Sequence, residues 1–193
     1  MTHRNDNLSC PPPGLRLADE IITPDEEAVL SELIDNCCLK YVEQGDDGRR
    51  STTSFGWAYR MASDDFIRCD PIPPGFSSVR EKAARFAAVA PEDLLQVVLN
   101  RYEGGATIPP HFDKPFFDEI IGISLGAPSV MHFTRESDSG TEHAQVVLSP
   151  RSIYLMSGPA RHEFKHSVPP VAGVRRSITF RTLSAMGKRI AQG

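Results

Sequence analysis

The chain from about Leu94 onward consists almost entirely of short strand-like runs, and this pattern constrains the fold more than any other feature. The runs are rich in β-branched and aromatic residues, lack a helical period, and are separated by Gly, Pro, Ser and Asp. In order they are LLQVVLNRY, EIIGISLG, SVMHFTR, QVVLSP, SIYLMSG and RRSITFRTL. Six such strands in succession predict an antiparallel barrel or jelly roll, mainly β, over about residues 94–183.

Helices are predicted ahead of these strands. The segment TPDEEAVLSELIDNCC begins with a capping box, with Thr23 as the N-cap, Pro24 at the first helical position and Glu26 at the third. Apolar side chains then recur at helical spacing and predict a face packed on the core: Val29, Leu30, Leu33, Ile34 and Cys37. A second helix is predicted over about residues 77–89, before Pro91.

Residues 44–74 mix polar and aromatic side chains irregularly, which predicts loops and short strands of the kind that carry substrate contacts. Residues 1–14 are predicted to form a flexible tail. With 193 residues, 40% of them hydrophobic and 24% charged, the chain has the size and composition of one globular domain. It lacks a long apolar run and an apolar amino-terminal signal segment. We therefore expect a monomer without a membrane partner, located in the cytoplasm, or in the nucleus if the source is a eukaryote.

Cysteine spacing and charge exclude some functional classes. The four cysteines show no paired Cys-x-x-Cys spacing, so free thiols are predicted rather than a zinc finger or a disulfide framework. The net charge of -4 argues against a strongly basic protein that coats nucleic acid. Residues 151–193 nevertheless carry eight Lys and Arg against one acid, Glu163, which gives +7 there and -11 for residues 1–150. This asymmetry indicates either an anionic partner or a solvated basic face.

The stretch NRYEGGATIPPHFD ends in a His-x-Asp pair. Residues i and i+2 of an extended chain point to the same face, so His111 and Asp113 would present an imidazole and a carboxylate side by side. A ferrous site of the facial-triad type needs one carboxylate and two imidazoles, with the opposite positions open. The candidates for the third ligand are His132, His143, His162 and His166. We choose His166, because it ends a strand-like segment shortly before the arginine-rich strand, whereas His132 sits in an apolar hairpin and His143 in a polar loop.

The last predicted strand carries Arg175, Ser177, Thr179 and Arg181 on one face. Two inward guanidinium groups are costly unless an anion meets them. A dicarboxylate such as 2-oxoglutarate would satisfy both, since arginine suits the bidentate geometry of a carboxylate. Asn100 and Tyr102 share a face of their own strand and could add neutral hydrogen bonds to the same ligand.

Taken together, NRYEGGATIPPHFD, IIGISLG, PRSIYLMSGPARHEFKHSV and RRSITFR resemble the AlkB-like dioxygenases that depend on 2-oxoglutarate and iron(II). The pattern of that family is Asn-x-Tyr, His-x-Asp, a distal His, and Arg-x-Asn-x-Thr-x-Arg. The resemblance implies a double-stranded β-helix with amino-terminal helices and substrate-recognition loops. It also implies that iron is held by His111, Asp113 and His166. The residues that it assigns to 2-oxoglutarate are Asn100, Tyr102, Arg175, Ser177 and Arg181.

Two residues depart from the pattern of the DNA-repair members. Ser177 stands where those members have Asn between the arginines, as in some relatives that act on RNA or other substrates. Pro115 occupies the position of an acidic residue that contacts the damaged base in repair members, with Asp118 and Glu119 only nearby. These departures bear on the substrate and leave the iron motif intact.

The reaction implied by the resemblance consumes O2, decarboxylates 2-oxoglutarate to succinate, and hydroxylates an N-methyl carbon that leaves as formaldehyde. The predicted function is therefore oxidative demethylation of N-alkylated bases in single-stranded DNA or RNA, of the alkylation-repair type. Trp57, Tyr59 and Arg161 are predicted to contact the substrate, with Trp57 and Tyr59 either stacking on the base or serving as ordinary core aromatics. The alternatives are an RNA-modifying or protein-directed dioxygenase of the same family, and a non-enzymatic jelly roll that binds an anion.

Overall fold

The computed structural model describes residues 10–42, 49–60, 65–138 and 140–192. Within them the chain forms thirteen strands and four α-helices. The helices are α1 Pro24–Asp35, α2 Ser77–Ala87, α3 Gly158–His162 and α4 Ala185–Gln192. The strands are β1 Leu15–Ala18, β2 Lys40–Tyr41, β3 Arg50–Phe55, β4 Trp57–Arg60, β5 Asp65–Arg68, β6 Gln96–Tyr102, β7 Ile108–His111, β8 Phe117–Gly126, β9 Ser129–Ser137, β10 Gly140–Leu148, β11 Ile153–Met156, β12 Lys165–Val168 and β13 Arg175–Leu183.

Two antiparallel sheets form the body of the protein. The larger has seven strands in the order β1-β11-β8-β13-β6-β3-β2, and the smaller has four in the order β10-β9-β12-β7. Side chains from both sheets, including Ile120 and Tyr154 of the larger and Met131 and Phe133 of the smaller, share one buried cluster. The two sheets therefore pack face to face, as in a double-stranded β-helix, and confirm the predicted fold class. Strands β4 and β5 form a separate hairpin.

Strand alternation divides the larger sheet into two faces. Along β13, Ile178 and Phe180 pack against α1 and α2 in the main hydrophobic cluster, together with Val97 and Leu99 of β6. The intervening residues of both strands point toward the smaller sheet. Helix α1 has the predicted capping box, because the Thr23 side chain accepts from the backbone of Glu26 while the Glu26 side chain accepts from the backbone of Thr23.

Several expectations need correction. Residues 44–74 were expected to form loops and short strands rather than a packed layer, but strand β3 pairs along its whole length with β6 and so belongs to the larger sheet. Strands β7 and β12 were absent from the six predicted strands, although extended chain was expected at His111 and before His166, and the smaller sheet depends on both. Val29 is 58% exposed and does not pack on the core. Of the expected flexible tail, residues 1–9 lie outside the described residues, but Gly14 accepts hydrogen bonds from the Ser157 backbone and side chain, so that part of the chain is fixed.

The strands predicted from Leu94 onward are all present, and α2 lies where a helix was predicted. None of the helices in the described part of the chain has the length and apolar character needed to cross a membrane.

Candidate active site

A cavity of about 540 Å³ lies between the two sheets. The inward face of the larger sheet lines one side with Tyr102, Arg175 and Arg181, and the smaller sheet contributes His111 and His166. The alternation predicted for β6 and β13 is therefore correct, since polar side chains of both strands reach the same enclosed space. Arg176, the neighbour on the opposite face, instead forms a bidentate pair with Asp35 on α1.

Strand pairing brings together the two histidines of the proposed triad. His111 on β7 and His166 on β12 are directly opposite each other in the antiparallel register, and their ring centroids are 4.3 Å apart. Asp113 follows β7 by two residues. The three side chains offer ligand atoms that all lie within 4.8 Å of one another. The side chains of Asp113 and His166 are only 10% and 12% exposed, so this group is largely shielded from solvent.

Hydrogen bonds orient the imidazole and the carboxylate. The Nδ1–H of His111 donates to the Pro109 carbonyl at 2.9 Å, which leaves Nε2 as the atom free to bind a metal. Asp113 Oδ1 accepts from Arg181 at 2.8 Å. Its other oxygen, Oδ2, is buried without a hydrogen-bond partner among the described residues and lies 3.9 Å from His166 Nε2. A buried carboxylate oxygen without a partner is costly, and a divalent cation between these three side chains would satisfy it.

The charges of the site suit metal binding. Burial alone would raise the pKa of Asp113, but the positive charge of Arg181 and the two imidazoles hold that pKa down at about 2. Burial lowers the pKa of His166 to about 4, in spite of the opposing effect of Asp113. At neutral pH the carboxyl group is therefore ionised and the imidazole neutral, which are the forms that coordinate a divalent cation.

The remaining candidate histidines lie outside this group. His132 is half-buried on β9, on the face opposite Met131 and Phe133. His143, expected in a loop, is exposed on β10. His162 is exposed at the end of α3, with its Nε2 3.3 Å from Asp118.

The other end of the cavity contains a buried arginine. Arg175 is only 2% exposed, its Nε donates to Ser124 at 3.1 Å, and its guanidinium lies 4.8 Å from the centre of the Tyr102 ring. It forms no ion pair with a carboxylate of the described residues. Asn100 donates to the Ser177 hydroxyl at 3.3 Å and lies beside Tyr102 in the cavity wall. A buried cation without a charge partner among the described residues is costly, and a bound carboxylate would satisfy it.

Tyr154 is a wall residue that the sequence analysis missed. It lies in the cavity, and burial raises the pKa of its phenol to about 12, so the hydroxyl remains a hydrogen-bond donor at neutral pH. A Cβ at Gly122, on the neighbouring strand, would lie 2.2 Å from the Tyr154 ring, so only glycine leaves room for it. The signal available in the sequence was the glycine inside the run EIIGISLG, since a glycine within a strand often marks a close approach.

The sequence analysis also missed Gln96, which links the His111–Asp113–His166 group to the β4–β5 hairpin. Its amide oxygen accepts from Arg181 at 3.0 Å, and its amide nitrogen donates to the Trp57 carbonyl at 2.6 Å. Because Arg181 in turn donates to Asp113, a continuous chain of hydrogen bonds runs from the hairpin backbone to the carboxylate. Gln96 is 3% exposed, so these bonds are made away from water.

Aromatic side chains of the hairpin pack on the protein itself. The Trp57 ring stacks on Phe66 with centroids 4.9 Å apart, and Phe66 stacks on Phe116 at 4.8 Å. Tyr59 stacks on Phe116 at 5.9 Å. Trp57 and Tyr59 therefore lie on a strand rather than in a loop, and neither lines the cavity. These contacts favour the interpretation of Trp57 and Tyr59 as packed aromatic residues over their interpretation as residues that stack on a base.

Arg161 does not have the position expected of a substrate contact. It is 4% exposed and donates to the backbone carbonyls of Lys114, Phe117 and Asp118, so it fixes the segment after the His-x-Asp pair. Most of the other basic residues of the carboxy-terminal segment also have partners within the protein. Arg151 pairs with Glu20 and Glu27, while Arg175, Arg176 and Arg181 make the contacts given above. Much of the positive charge of this segment is thus engaged within the protein, while Lys165, Lys188 and Arg189 are exposed.

The chain is similar in sequence to curated proteins of several organisms. It is 31% identical over 164 residues to a tRNA (carboxymethyluridine(34)-5-O)-methyltransferase of Xenopus tropicalis, covering 82% of this chain and 26% of that protein. It is 27% identical over 181 residues to the alkylated DNA repair protein ALKBH8 homologue of Arabidopsis thaliana, covering 81% of this chain and 51% of that protein. The chain thus spans about a quarter of the first relative and half of the second.

A solved structure has the same fold, and a family model gives the classification. The structure of OsALKBH1 superposes with a TM-score of 0.64 at 16% identity, covering 88% of this chain and 98% of that one, which shows the shared fold. The model of the 2OG-Fe(II) oxygenase superfamily matches residues 42–190, a span that includes the His111–Asp113–His166 group and the arginines of β13. The chain is an AlkB-like member of the 2OG-Fe(II) oxygenase superfamily, whose members are dioxygenases that use Fe(II), 2-oxoglutarate and O2.

Proposed function

We propose that the chain oxidises a modified base in RNA, with tRNA as the substrate class. The observation that carries the chemistry is the enclosed His111–Asp113–His166 group in one cavity with the unpaired Arg175. The RNA substrate is suggested by the relative named for a modified uridine of tRNA. The methyl transfer in that name is not an oxidation, and the chain spans about a quarter of that protein. The proposal therefore takes the substrate class, and not the reaction, from that relative.

His111, Asp113 and His166 would hold the iron. Arg175 would bind the distal carboxylate of 2-oxoglutarate, with Tyr102, Asn100 and Ser177 beside it. Arg181 has a buried Nε without a partner among the described residues, so it retains a donor for an anion near the metal. When bound, iron supplies the activation of O2, and 2-oxoglutarate supplies electrons through its oxidative decarboxylation to succinate.

The protein also has to orient the substrate and exclude water from the reacting atoms. Only a base that is unpaired or flipped out of a helix can enter a cavity enclosed between two sheets. Pro115 and Ser177 replace residues of the repair pattern, so action on modified RNA is favoured over N-demethylation of damaged DNA. The test below distinguishes demethylation of an N-alkylated base from other oxidations, because demethylation releases formaldehyde.

The test is a comparison of substrates with the purified protein, Fe(II) and 2-oxoglutarate. Total tRNA, N-methylated single-stranded DNA and methylated peptides are each supplied, and succinate, formaldehyde and the masses of the digested products are measured. We expect tRNA to stimulate succinate formation and one of its modified nucleosides to gain an oxygen atom. Formaldehyde release from methylated DNA alone, or oxidation of a peptide alone, would contradict the RNA assignment while leaving the oxygenase chemistry in place.

The next prediction concerns Gln96, which connects the β4–β5 hairpin to Arg181. Gln96→Leu removes the acceptor of Arg181 and the donor to the Trp57 carbonyl, so we expect the affinity for 2-oxoglutarate to fall about fivefold, as for the loss of one hydrogen bond. Calorimetric titration of 2-oxoglutarate into the Mn(II)-loaded variant measures the change. Gln145→Leu, at an exposed position on β10, is the matched control. Equal affinities in the two variants would show that Gln96 does not position Arg181.

A further inference from the structure

The rim of the cavity carries an aromatic side chain that the fold does not use. Phe112 lies between His111 and Asp113, so strand alternation turns its ring away from the metal group and toward solvent. Eight large hydrophobic residues of the described chain are exposed, and Phe112, at 46%, is the one among them that lines the cavity. The rings of the β4–β5 stack pack on one another, whereas Phe112 contacts no aromatic ring among the described residues.

Two lysines accompany Phe112 at this rim. Lys165 precedes His166, and its Nζ lies 6.0 Å from the centre of the Phe112 ring. Lys114 follows Asp113, lines the cavity, and has its Nζ 4.0 Å from the centre of the Tyr59 ring. Both lysines are exposed, and neither forms an ion pair with a carboxylate in the described part of the chain. Each of the three residues is thus a sequence neighbour of His111, Asp113 or His166, and Phe112 and Lys114 also line the cavity at its rim.

We propose that Phe112, Lys114 and Lys165 form a binding site for single-stranded nucleic acid at the mouth of the cavity. The base of a nucleotide next to the one that enters the cavity stacks on Phe112, and the adjoining phosphates contact the two lysines. An exposed aromatic ring with unpaired cations beside it is the combination that binds single strands without base pairing. This inference rests on the proposed function, and it replaces Trp57 with Phe112 as the stacking residue.

The test uses protein loaded with Mn(II) and 2-oxoglutarate and two fluorescent probes: oligouridylate of about ten nucleotides and an abasic ribose-phosphate strand of the same length. The proposal predicts that the unaltered protein binds oligouridylate about 5-fold to 100-fold more tightly than the abasic strand. Phe112→Leu should remove this difference, and Phe112→Tyr should restore it. Because the first comparison needs no variant, it holds even if a substitution disturbs folding.

The lysines are tested by the dependence of binding on salt. Lys114→Gln and Lys165→Gln should each reduce the slope of log affinity against log salt by about 0.7, the value for one phosphate on a single strand. Lys188→Gln, on α4, is the control and should leave the slope unchanged.

Equal binding of the two probes, or retention of their difference in Phe112→Leu, would overturn the rim site while leaving the proposed function standing. Failure of the protein to bind either probe, together with binding of an acidic peptide, would overturn both.

Discussion

His111→Ala is expected to abolish metal binding and, with it, the turnover of 2-oxoglutarate. A site of three ligands that loses one imidazole retains too little binding energy to hold a ferrous ion. His111 is the clearest position for this test, because the one hydrogen bond given for its side chain among the described residues goes to the nearby Pro109 carbonyl. Titration of Mn(II) into the apoprotein and succinate formation with Fe(II) measure the two effects, and circular dichroism checks the fold.

Asp113→Ala should also abolish metal binding, but with a second consequence. Asp113 is the charge partner of Arg181, at 2.8 Å, and both side chains are at least 85% buried. The substitution therefore leaves a buried guanidinium without its carboxylate, which destabilises the fold in addition to removing a ligand. Asp113→Asn keeps an oxygen facing Arg181 and separates the two effects.

Succinate formation at the unaltered rate in His111→Ala would contradict the ligand assignment.

The second large effect is expected at the anion end of the cavity. Arg175→Ala should weaken 2-oxoglutarate binding at least about tenfold, because a charge-assisted hydrogen bond to a carboxylate contributes roughly 1.5–3 kcal/mol. Calorimetric titration of 2-oxoglutarate into the Mn(II)-loaded protein gives the affinity directly.

Arg176→Ala is the matched control for Arg175. Arg176 is the adjacent residue of the same strand, but it faces outward and pairs with Asp35, so its loss should cost about 1 kcal/mol of stability or less and leave 2-oxoglutarate binding unchanged. An equal loss of affinity in both variants would mean that the cosubstrate does not lie against the inward face of β13.

The sequence was sufficient to predict much of the site because its geometry follows from local periodicity. The period of two placed Arg175 and Arg181 on one face and Arg176 on the other, and it placed His111 beside Asp113. The choice of His166 needed more than periodicity, since the link between His166 and His111 is the pairing of β7 with β12. Neither of those strands has the apolar alternation by which strands are recognised, because Pro109, Pro110 and Lys165 interrupt it.

What the sequence could not supply was the set of long-range partners. Arg161 is a basic residue of the kind that contacts substrates, but its guanidinium donates hydrogen bonds to backbone carbonyls more than forty residues away in the chain. Trp57 lies in a polar region, yet its ring is covered by Phe66 after the hairpin turns back. The same limitation hid Gln96 and Tyr154, whose roles depend on Arg181 and Gly122 in other strands.

The most direct test of the central claim is a crystal structure of the protein with Mn(II) and 2-oxoglutarate. We expect one anomalous difference peak in direct contact with His111, Asp113 and His166, and 2-oxoglutarate in the same cavity with a carboxylate against Arg175. A metal peak that does not involve these three side chains, or a 2-oxoglutarate molecule bound away from Arg175, would contradict it.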